Sequence, residues 1–229
     1  MFVPVPLELK RTGTGAGPAW ANALLIAVNV VLFALGSGYH WGWAVGPGCP
    51  WWNVLAYGFT HAGVWHLVGN MWALYVFGNA VNRRLGNAYY LAAYLGPLVA
   101  LGLFARLLLH GYLVGASGAV FSVIIMALIL MPRAALEIGY VALFPVTLLL
   151  GLMQMPSHWS YWFVRWGRFS LGALWCLAVI PLMEVLALMW NWGNLTNLAH
   201  LLGMALGVAV VLMLPTQITM PSRPLYVRG

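Results

Sequence analysis

Charged side chains are scarce in this chain of 229 residues, because only 6% of them are Asp, Glu, Lys or Arg. A soluble domain carries about 25% charged residues, which cover its outer surface. Here 63% of the residues are hydrophobic, so too few polar groups are present to coat a soluble globule. The composition excludes an ordinary soluble protein and predicts an integral membrane protein whose outer solvent is lipid.

Aspartate is missing altogether, and the only side-chain carboxylates are those of Glu8, Glu137 and Glu184. The two cysteines, Cys49 and Cys176, lie far apart in the sequence, so it indicates neither a disulfide framework nor a metal site. The net charge is +7, but Lys and Arg occur singly or in pairs at the ends of apolar runs. This pattern is typical of membrane spans and argues against a nucleic-acid-binding surface.

Six apolar runs have about the length of a membrane-spanning helix. They cover residues 19–36, 60–81, 88–108, 116–131, 171–190 and 198–214. A seventh stretch, 138–155, is ambiguous. If it does not cross and the N-terminus is cytoplasmic, every Lys and Arg except Arg106 falls on the cytoplasmic side. The sequence therefore predicts an all-α, six-helix membrane domain at 19–214, with an interfacial or re-entrant segment between the fourth and fifth spans. Cytoplasmic segments at 1–18 and 215–229 flank it.

The first group of polar residues at membrane depth opens the second span. His66 and Asn70 are one helical turn apart and share a face, whereas His61 lies nearer the end of the helix. Two donors on one inward face could stabilise a developing negative charge. Alternatively, these side chains only join helices by hydrogen bonds.

The second group is Gly115-Ala116-Ser117-Gly118, at the start of the fourth span. A serine at a helix N-terminus lies beside free backbone N–H groups that favour an anion, and the glycines permit close approach. The alternative is ordinary small-residue helix packing.

The third group opens the sixth span, where His200 is followed by Gly203 and Gly207. A Gly-x-x-x-Gly face lets a neighbouring helix come close, so His200 could meet Ser117 if the fourth and sixth spans are neighbours. Here too, the histidine could serve only a helix–helix hydrogen bond.

In the six-span topology, the second, fourth and sixth spans all run from outside to inside. Ser117, His200, His66 and Asn70 then occupy one shallow outer layer, as a nucleophile, a base and two oxyanion donors would in acyl transfer. Without aspartate, we expect a Ser–His dyad. Glu184 is expected near mid-membrane, away from that layer, in a structural role.

The ordered motifs His-x4-His-x3-Asn, Gly-x-Ser-Gly and Ala-His-x2-Gly-x3-Gly resemble those of the rhomboid family of intramembrane serine proteases. The resemblance implies that Ser117 is the nucleophile and His200 the general base. It also implies that His66, Asn70 and the Ser117 backbone N–H form the oxyanion hole. The supporting residues would be His61, Gly115, Gly118, Phe121 and Gly203. Phe121 stands where many members have a tyrosine that stacks on the histidine.

The implied activity is that of a serine endopeptidase that cleaves transmembrane helices near the membrane surface, with no cofactor or metal. Its partners would be transmembrane substrates and the lipid bilayer, without nucleic acid. Two alternatives are a proteolytically silent rhomboid-like protein that binds transmembrane helices, and a small transporter or channel. We expect a prokaryotic plasma membrane, cytoplasmic termini and a site that opens outward.

Overall fold

The protein is described by a computed structural model over residues 2–10, 17–36, 41–143, 146–147, 164–190 and 194–215. Helices account for most of these residues. They are α1 (Trp20–Ala34), α2 (Asn53–Ala56), α3 (Val64–Ala73), α4 (Asn79–Leu85), α5 (Asn87–Leu108), α6 (Ser117–Leu130), α7 (Ala173–Met189) and α8 (Asn194–Met213). A π-helical turn, Leu74–Gly78, joins α3 to α4, so the chain is helical without interruption from Val64 to Leu85.

Two helices within the described residues are long and apolar enough to cross a membrane, Asn87–Leu108 and Leu195–Met213. Trp20–Ala34, Ser117–Leu130 and Ala173–Met189 are apolar but shorter. Each of the six predicted apolar runs thus contains a helix, and the prediction of a helical protein is confirmed.

Helix α6 lies at the centre of the helical part. It packs against α3, α4, α5, α7 and α8, and most of its side chains are buried, including both Val120 and Met126. A helix that is apolar all round is expected to be buried on every side. Ser117 is therefore the first residue of a helix whose side chains are mostly buried.

The π-helical turn is accompanied by a buried asparagine. Asn22 Nδ2 donates hydrogen bonds to the Leu74 carbonyl oxygen and to Asn79 Oδ1, both at 2.9 Å. The Tyr90 hydroxyl in turn donates to Asn22 Oδ1 at 2.6 Å. A side chain that inserts into the backbone hydrogen-bond ladder is a recognised cause of such local widening. This polar contact joins α1 and α5 to the middle of the helical stretch Val64–Leu85.

A three-stranded antiparallel sheet corrects the all-α prediction. Its strands are β1 (Phe2–Lys10), β2 (Ala135–Leu143) and β3 (Val164–Gly172), with β2 in the middle. Residues 138–143, the first part of the ambiguous stretch 138–155, belong to strand β2, whereas residues 144–145 and 148–155 lie outside the described residues.

The sequence patterns did not predict the sheet, and the reason is physical. A search for runs of about 20 apolar residues cannot detect strands of nine residues. In addition, Pro4 and Pro6 interrupt β1, and proline is tolerated only where a strand lies at the edge of a sheet, as β1 does. The helical class holds, but the fold is a helical bundle with a small sheet. The sheet includes residues 2–10 of the predicted N-terminal segment, and most of the predicted tail, 216–229, lies outside the described residues.

Candidate active site

Ser117 is the first residue of α6, as its position at the start of the fourth apolar run predicted. The segment before it is fixed by two backbone contacts. Val45 and Leu113 form an antiparallel bridge, and the Gly115 N–H donates to the Tyr57 carbonyl oxygen at 2.9 Å. Because the first N–H groups of a helix have no partner within it, the Ser117 N–H is available at the helix end.

Gly115 meets two requirements that only glycine satisfies. Its φ of +103° lies in the left-handed region that other residues rarely adopt. A Cβ atom there would also lie 2.5 Å from Cε1 and 2.9 Å from Nε2 of His66. The imidazole of His66 therefore rests against the backbone that leads into Ser117.

The imidazole of His66 can donate a hydrogen bond through Nε2. Its Nδ1 accepts a hydrogen bond from the Ala62 N–H at 3.3 Å, so the neutral ring carries its proton on Nε2. The ring of His61, which is fully buried, meets His66 edge-on with centroids 5.2 Å apart. His61 thus supports the position of the His66 ring.

Asn70 lies one turn beyond His66 on α3. Its Nδ2 donates to the His66 carbonyl oxygen at 3.0 Å, and the residue is buried. Since an amide nitrogen has two hydrogens, one of them is not engaged in this bond. Helix α3 packs against α6, the helix that begins with Ser117.

Helices α6 and α8 make the most extensive contact between two helices of the described chain. A Cβ at Gly203 would overlap the Gly118 carbonyl oxygen, and a Cβ at Gly207 would lie 2.5 Å from the Ser122 carbonyl oxygen. The Gly-x-x-x-Gly face therefore packs directly on the α6 backbone, and the predicted fourth and sixth spans are neighbours.

His200 lies in this interface, stacked on Phe121. The ring centroids are 4.1 Å apart and the planes differ by 24°, so Phe121 stacks on the histidine as the resemblance implies for the tyrosine that many members have there. Phe121 is one turn after Ser117 on α6, so the two share a face. The imidazole thus lies over the face of α6 that presents Ser117.

The free nitrogen of His200 is Nε2, which is buried without a hydrogen-bond partner among the described residues. Consequently Ser117 and His200 do not form a hydrogen bond in this structure. In unliganded enzymes catalytic hydrogen bonds are often long and tighten only with substrate. The arrangement leaves Nε2 buried in the α6–α8 interface without a hydrogen-bond partner among the described residues.

The structure contradicts the predicted position of Glu184. Its Oε2 lies 3.1 Å from His200 Nδ1, and the two side chains are only 16% and 13% exposed. Glu184 is five residues before the end of α7 and His200 six residues after the start of α8. At about 1.5 Å per residue, both lie within about 10 Å of the connection between the two helices. Glu184 and His200 therefore lie at similar depths, measured along α7 and α8 from the connection that these helices share.

Asn197 is a further residue that the sequence reading missed. Its Nδ2 donates to the same Glu184 Oε2 at 2.7 Å. The sequence does contain one indication of such a contact. Glu184 is the only carboxylate within an apolar run, and an ionisable residue at membrane depth usually pairs with another polar group.

A cavity of about 420 Å³ adjoins the serine. Residues from the first loop, α3, the segment before α6, and α8 line it, among them Tyr57, His66, Gly115, Ser117, Thr196 and Ala199. Ser117 and His66 therefore face one common space, whereas His200 and Asn70 are not among its lining residues. Of the predicted oxyanion groups, only Asn70 lies outside this space.

Comparison with protein families gives a match to the Rhomboid domain over residues 48–155. The chain therefore contains a region that is similar to the Rhomboid domain. The matched range contains His66 and Ser117 and ends before Glu184 and His200. Because rhomboid proteins are membrane proteins, and two described helices are long and apolar enough to span, the protein is a membrane protein.

Several curated proteins are similar to this chain. Rhomboid protein 1, mitochondrial, of Saccharomyces cerevisiae is 29% identical over 68% of this chain and 40% of its own length. The putative rhomboid protease YdcA of Bacillus subtilis is 35% identical over 44% of this chain and 51% of its own. RHOMBOID-like protein 12, mitochondrial, of Arabidopsis thaliana is 30% identical over 40% and 33%. The chain thus spans about half or less of the relatives it matches. No solved structure matches it.

Proposed function

We propose that this chain is a rhomboid-type intramembrane serine endopeptidase that cleaves transmembrane helices by a Ser117–His200 pair. The observation that carries the proposal is the α6–α8 interface. There His200, stacked on Phe121, lies over the face of the helix that begins with Ser117. One relative is named a putative rhomboid protease, which supports the same reaction class.

In the proposed reaction, Ser117 Oγ attacks the carbonyl carbon of the scissile peptide bond while its proton moves to His200 Nε2. The carbonyl oxygen becomes an oxyanion that accepts hydrogen bonds from the Ser117 backbone N–H, His66 Nε2–H and Asn70 Nδ2. His200 then gives the proton to the leaving nitrogen as the C–N bond breaks. Water attacks the acyl-enzyme by the reverse sequence and releases the acid, so the reaction needs neither metal nor cofactor.

The sheet supports the six-span topology. Strand β1 precedes the first predicted span, β2 follows the fourth, and β3 precedes the fifth. Strands of one sheet lie on one side of a membrane, so the chain crosses an even number of times between β1 and β2. It also returns to that side between β2 and β3. A six-span topology meets both conditions, because it has four spans between β1 and β2 and no net crossing between β2 and β3.

We propose that this side is the cytoplasm, because the sheet region carries Arg133, Arg165 and Arg168. The site at the start of α6 then opens toward the outer surface, where a substrate helix would unwind. The proposed host membrane is the plasma membrane of a prokaryote, although two relatives are named as mitochondrial. Transmembrane proteins and lipid are the proposed partners.

The test is cleavage of a labelled single-span substrate by the purified protein in detergent and in lipid. We expect wild-type protein to cleave and Ser117→Ala and His200→Ala to be inactive. Ser170→Ala and His110→Ala are matched controls, because both residues are exposed and lie outside the site. Cleavage that survives Ser117→Ala would overturn the assignment of the nucleophile.

A silent rhomboid-like protein that binds transmembrane helices is the second candidate. The observation in its favour is that His200 Nε2 has no hydrogen bond to the serine. If wild-type protein bound but never cleaved several such substrates, and a fluorophosphonate failed to label Ser117, this second function would replace the first.

A further inference from the structure

The carboxylate of Glu184 touches the proposed catalytic base. Its Oε2 lies 3.1 Å from His200 Nδ1, on the side of the imidazole opposite to Nε2. An ionised carboxylate only accepts hydrogen bonds, so a neutral imidazole must donate its Nδ1–H to Glu184. The proton position then leaves the lone pair on Nε2, where a base for Ser117 needs it.

We propose that Glu184 is a positioning residue that converts the expected Ser–His dyad into a Ser117–His200–Glu184 triad. The inference rests on the proposed protease function and deepens it. Glu184 would fix the tautomer and orientation of the imidazole and stabilise the positive charge that His200 develops when it takes the serine proton. The carboxylate itself takes no proton in any step.

The contacts around the pair favour this role over simple helix joining. A hydrogen bond that merely joins α7 to α8 would be served by any donor and acceptor in reach. Here the imidazole is fixed in two ways, through its plane by Phe121 at 4.1 Å and through Nδ1 by the carboxylate. Both constraints leave Nε2 unengaged.

The carboxylate is held in its turn. Asn197 Nδ2 donates to the same Oε2 at 2.7 Å, and Asn197 is one turn before His200 on α8. In hydrolytic triads, a third group orients the base. Here the carboxylate would be that third group, and the hydrogen bond from Asn197 holds it in place. The pair is also largely shielded from water, and this shielding strengthens its electrostatic interaction.

The first test measures the tautomer directly and does not depend on proteolysis. The protein is labelled with ¹⁵N in its histidine rings and studied by NMR in detergent micelles, at a pH where the imidazoles are neutral. The His200 signals are assigned by their loss in His200→Ala. We expect the proton on Nδ1 in the wild type. In Glu184→Gln we expect it to move to Nε2, because the amide N–H can donate to Nδ1. A wild-type proton on Nε2 would overturn the proposal.

The second test separates positioning from stability. We expect Glu184→Gln to lower kcat by about 10²-fold or more, with KM nearly unchanged, as when the carboxylate of a soluble triad is replaced by an amide. The rate of fluorophosphonate labelling at Ser117 should fall in parallel. Glu8→Gln is the matched control, because Glu8 is an exposed carboxylate on β1 and should leave both rates unchanged.

The outcomes distinguish this proposal from the proposed function. If the wild type cleaves and Glu184→Gln retains its kcat, with or without a lower melting temperature, Glu184 is a structural residue and the dyad stands. If the wild type does not cleave, the protease function fails, and the tautomer measurement alone decides whether Glu184 positions His200.

Discussion

Two clusters that contain buried polar atoms lie in the helical part of the chain, and they differ in whether those atoms have hydrogen-bond partners. The asparagine cluster joins α1, α4 and α5 and consists of Asn22, Asn79, Asn82, Asn87 and Tyr90. The site cluster lies between α6, α7 and α8 and consists of Ser117, Phe121, Glu184, Asn197 and His200.

In the asparagine cluster the buried atoms are paired. Asn22 makes three side-chain hydrogen bonds, its backbone N–H donates to Asn82 Oδ1, and Asn82 Nδ2 donates to Asn87 Oδ1. None of these five side chains has a buried atom without a partner in the described chain. All five are uncharged, and their hydrogen bonds join α1, α4 and α5.

In the site cluster, by contrast, His200 Nε2 and Asn197 Oδ1 are buried without partners, and a carboxylate is enclosed beside an imidazole. Unsatisfied buried polar groups cost free energy and are uncommon in native proteins. These two unsatisfied atoms and the enclosed carboxylate distinguish the site cluster from the asparagine cluster. The following changes, ordered by expected effect, test that contrast.

Asn70→Ala should give the largest effect of the four. We expect kcat to fall by about 10² or more, because one oxyanion donor is lost, while stability changes little. Asn29→Ala is a closely matched control, since Asn29 Nδ2 makes the same bond to a carbonyl one turn earlier, that of Leu25, at 2.8 Å. Equal activities of the two variants would remove Asn70 from the oxyanion hole.

Gly203→Ala should break the close approach on which the site cluster depends. The added methyl group would overlap the Gly118 carbonyl oxygen, so we expect a loss of roughly 1–3 kcal/mol in stability. Cleavage should fall as well, because Gly118 adjoins Ser117. Thermal unfolding in detergent provides the measurement. Gly96→Ala is the control, as a Cβ there meets nothing within 4 Å; similar melting temperatures for both variants would contradict the packing account.

Asn22→Ala should affect stability and leave the chemistry unchanged. It leaves buried partners of Asn22 unsatisfied, which costs about 1–3 kcal/mol per group. We expect a lower melting temperature and, per folded molecule labelled at Ser117, an unchanged kcat. A fall in kcat larger than that of Asn70→Ala would show that the two clusters are coupled.

Phe121→Leu should have the smallest effect, a loss of roughly two- to tenfold in kcat, because an aromatic contact contributes about 0.5–1.5 kcal/mol. Phe121→Tyr keeps the ring and should remain close to wild type in the same cleavage assay. If the leucine and tyrosine variants were equally impaired, stacking on His200 would not explain the role of Phe121.

The helices and the α6–α8 contact were predictable from the sequence because they follow from local patterns. Apolar runs of sufficient length indicate helices, and Gly203 with Gly207 indicates a close helix contact. The stacking of Phe121 on His200 followed from the family resemblance.

Other features depend on contacts between distant segments. The sheet joins residues 2–10 to 135–143, and neither segment alone has a pattern that requires the other. The asparagine cluster joins Asn22 to Asn79 and Tyr90 across more than 50 residues of sequence. The Glu184–His200 contact was not predicted for a different reason. The expected mid-membrane position of Glu184 did not take into account that α7 and α8 are consecutive helices, so that the end of α7 lies beside the start of α8.

The most direct test of the central claim is covalent labelling of Ser117. Wild-type protein in detergent is treated with a fluorophosphonate, and the modified residue is identified by mass spectrometry, beside His200→Ala and the control His110→Ala. We expect a single adduct on Ser117 in the wild type and in His110→Ala, with labelling lost in His200→Ala. Labelling of Ser117 that is unchanged without His200, or no labelling of folded wild-type protein, would contradict the central claim.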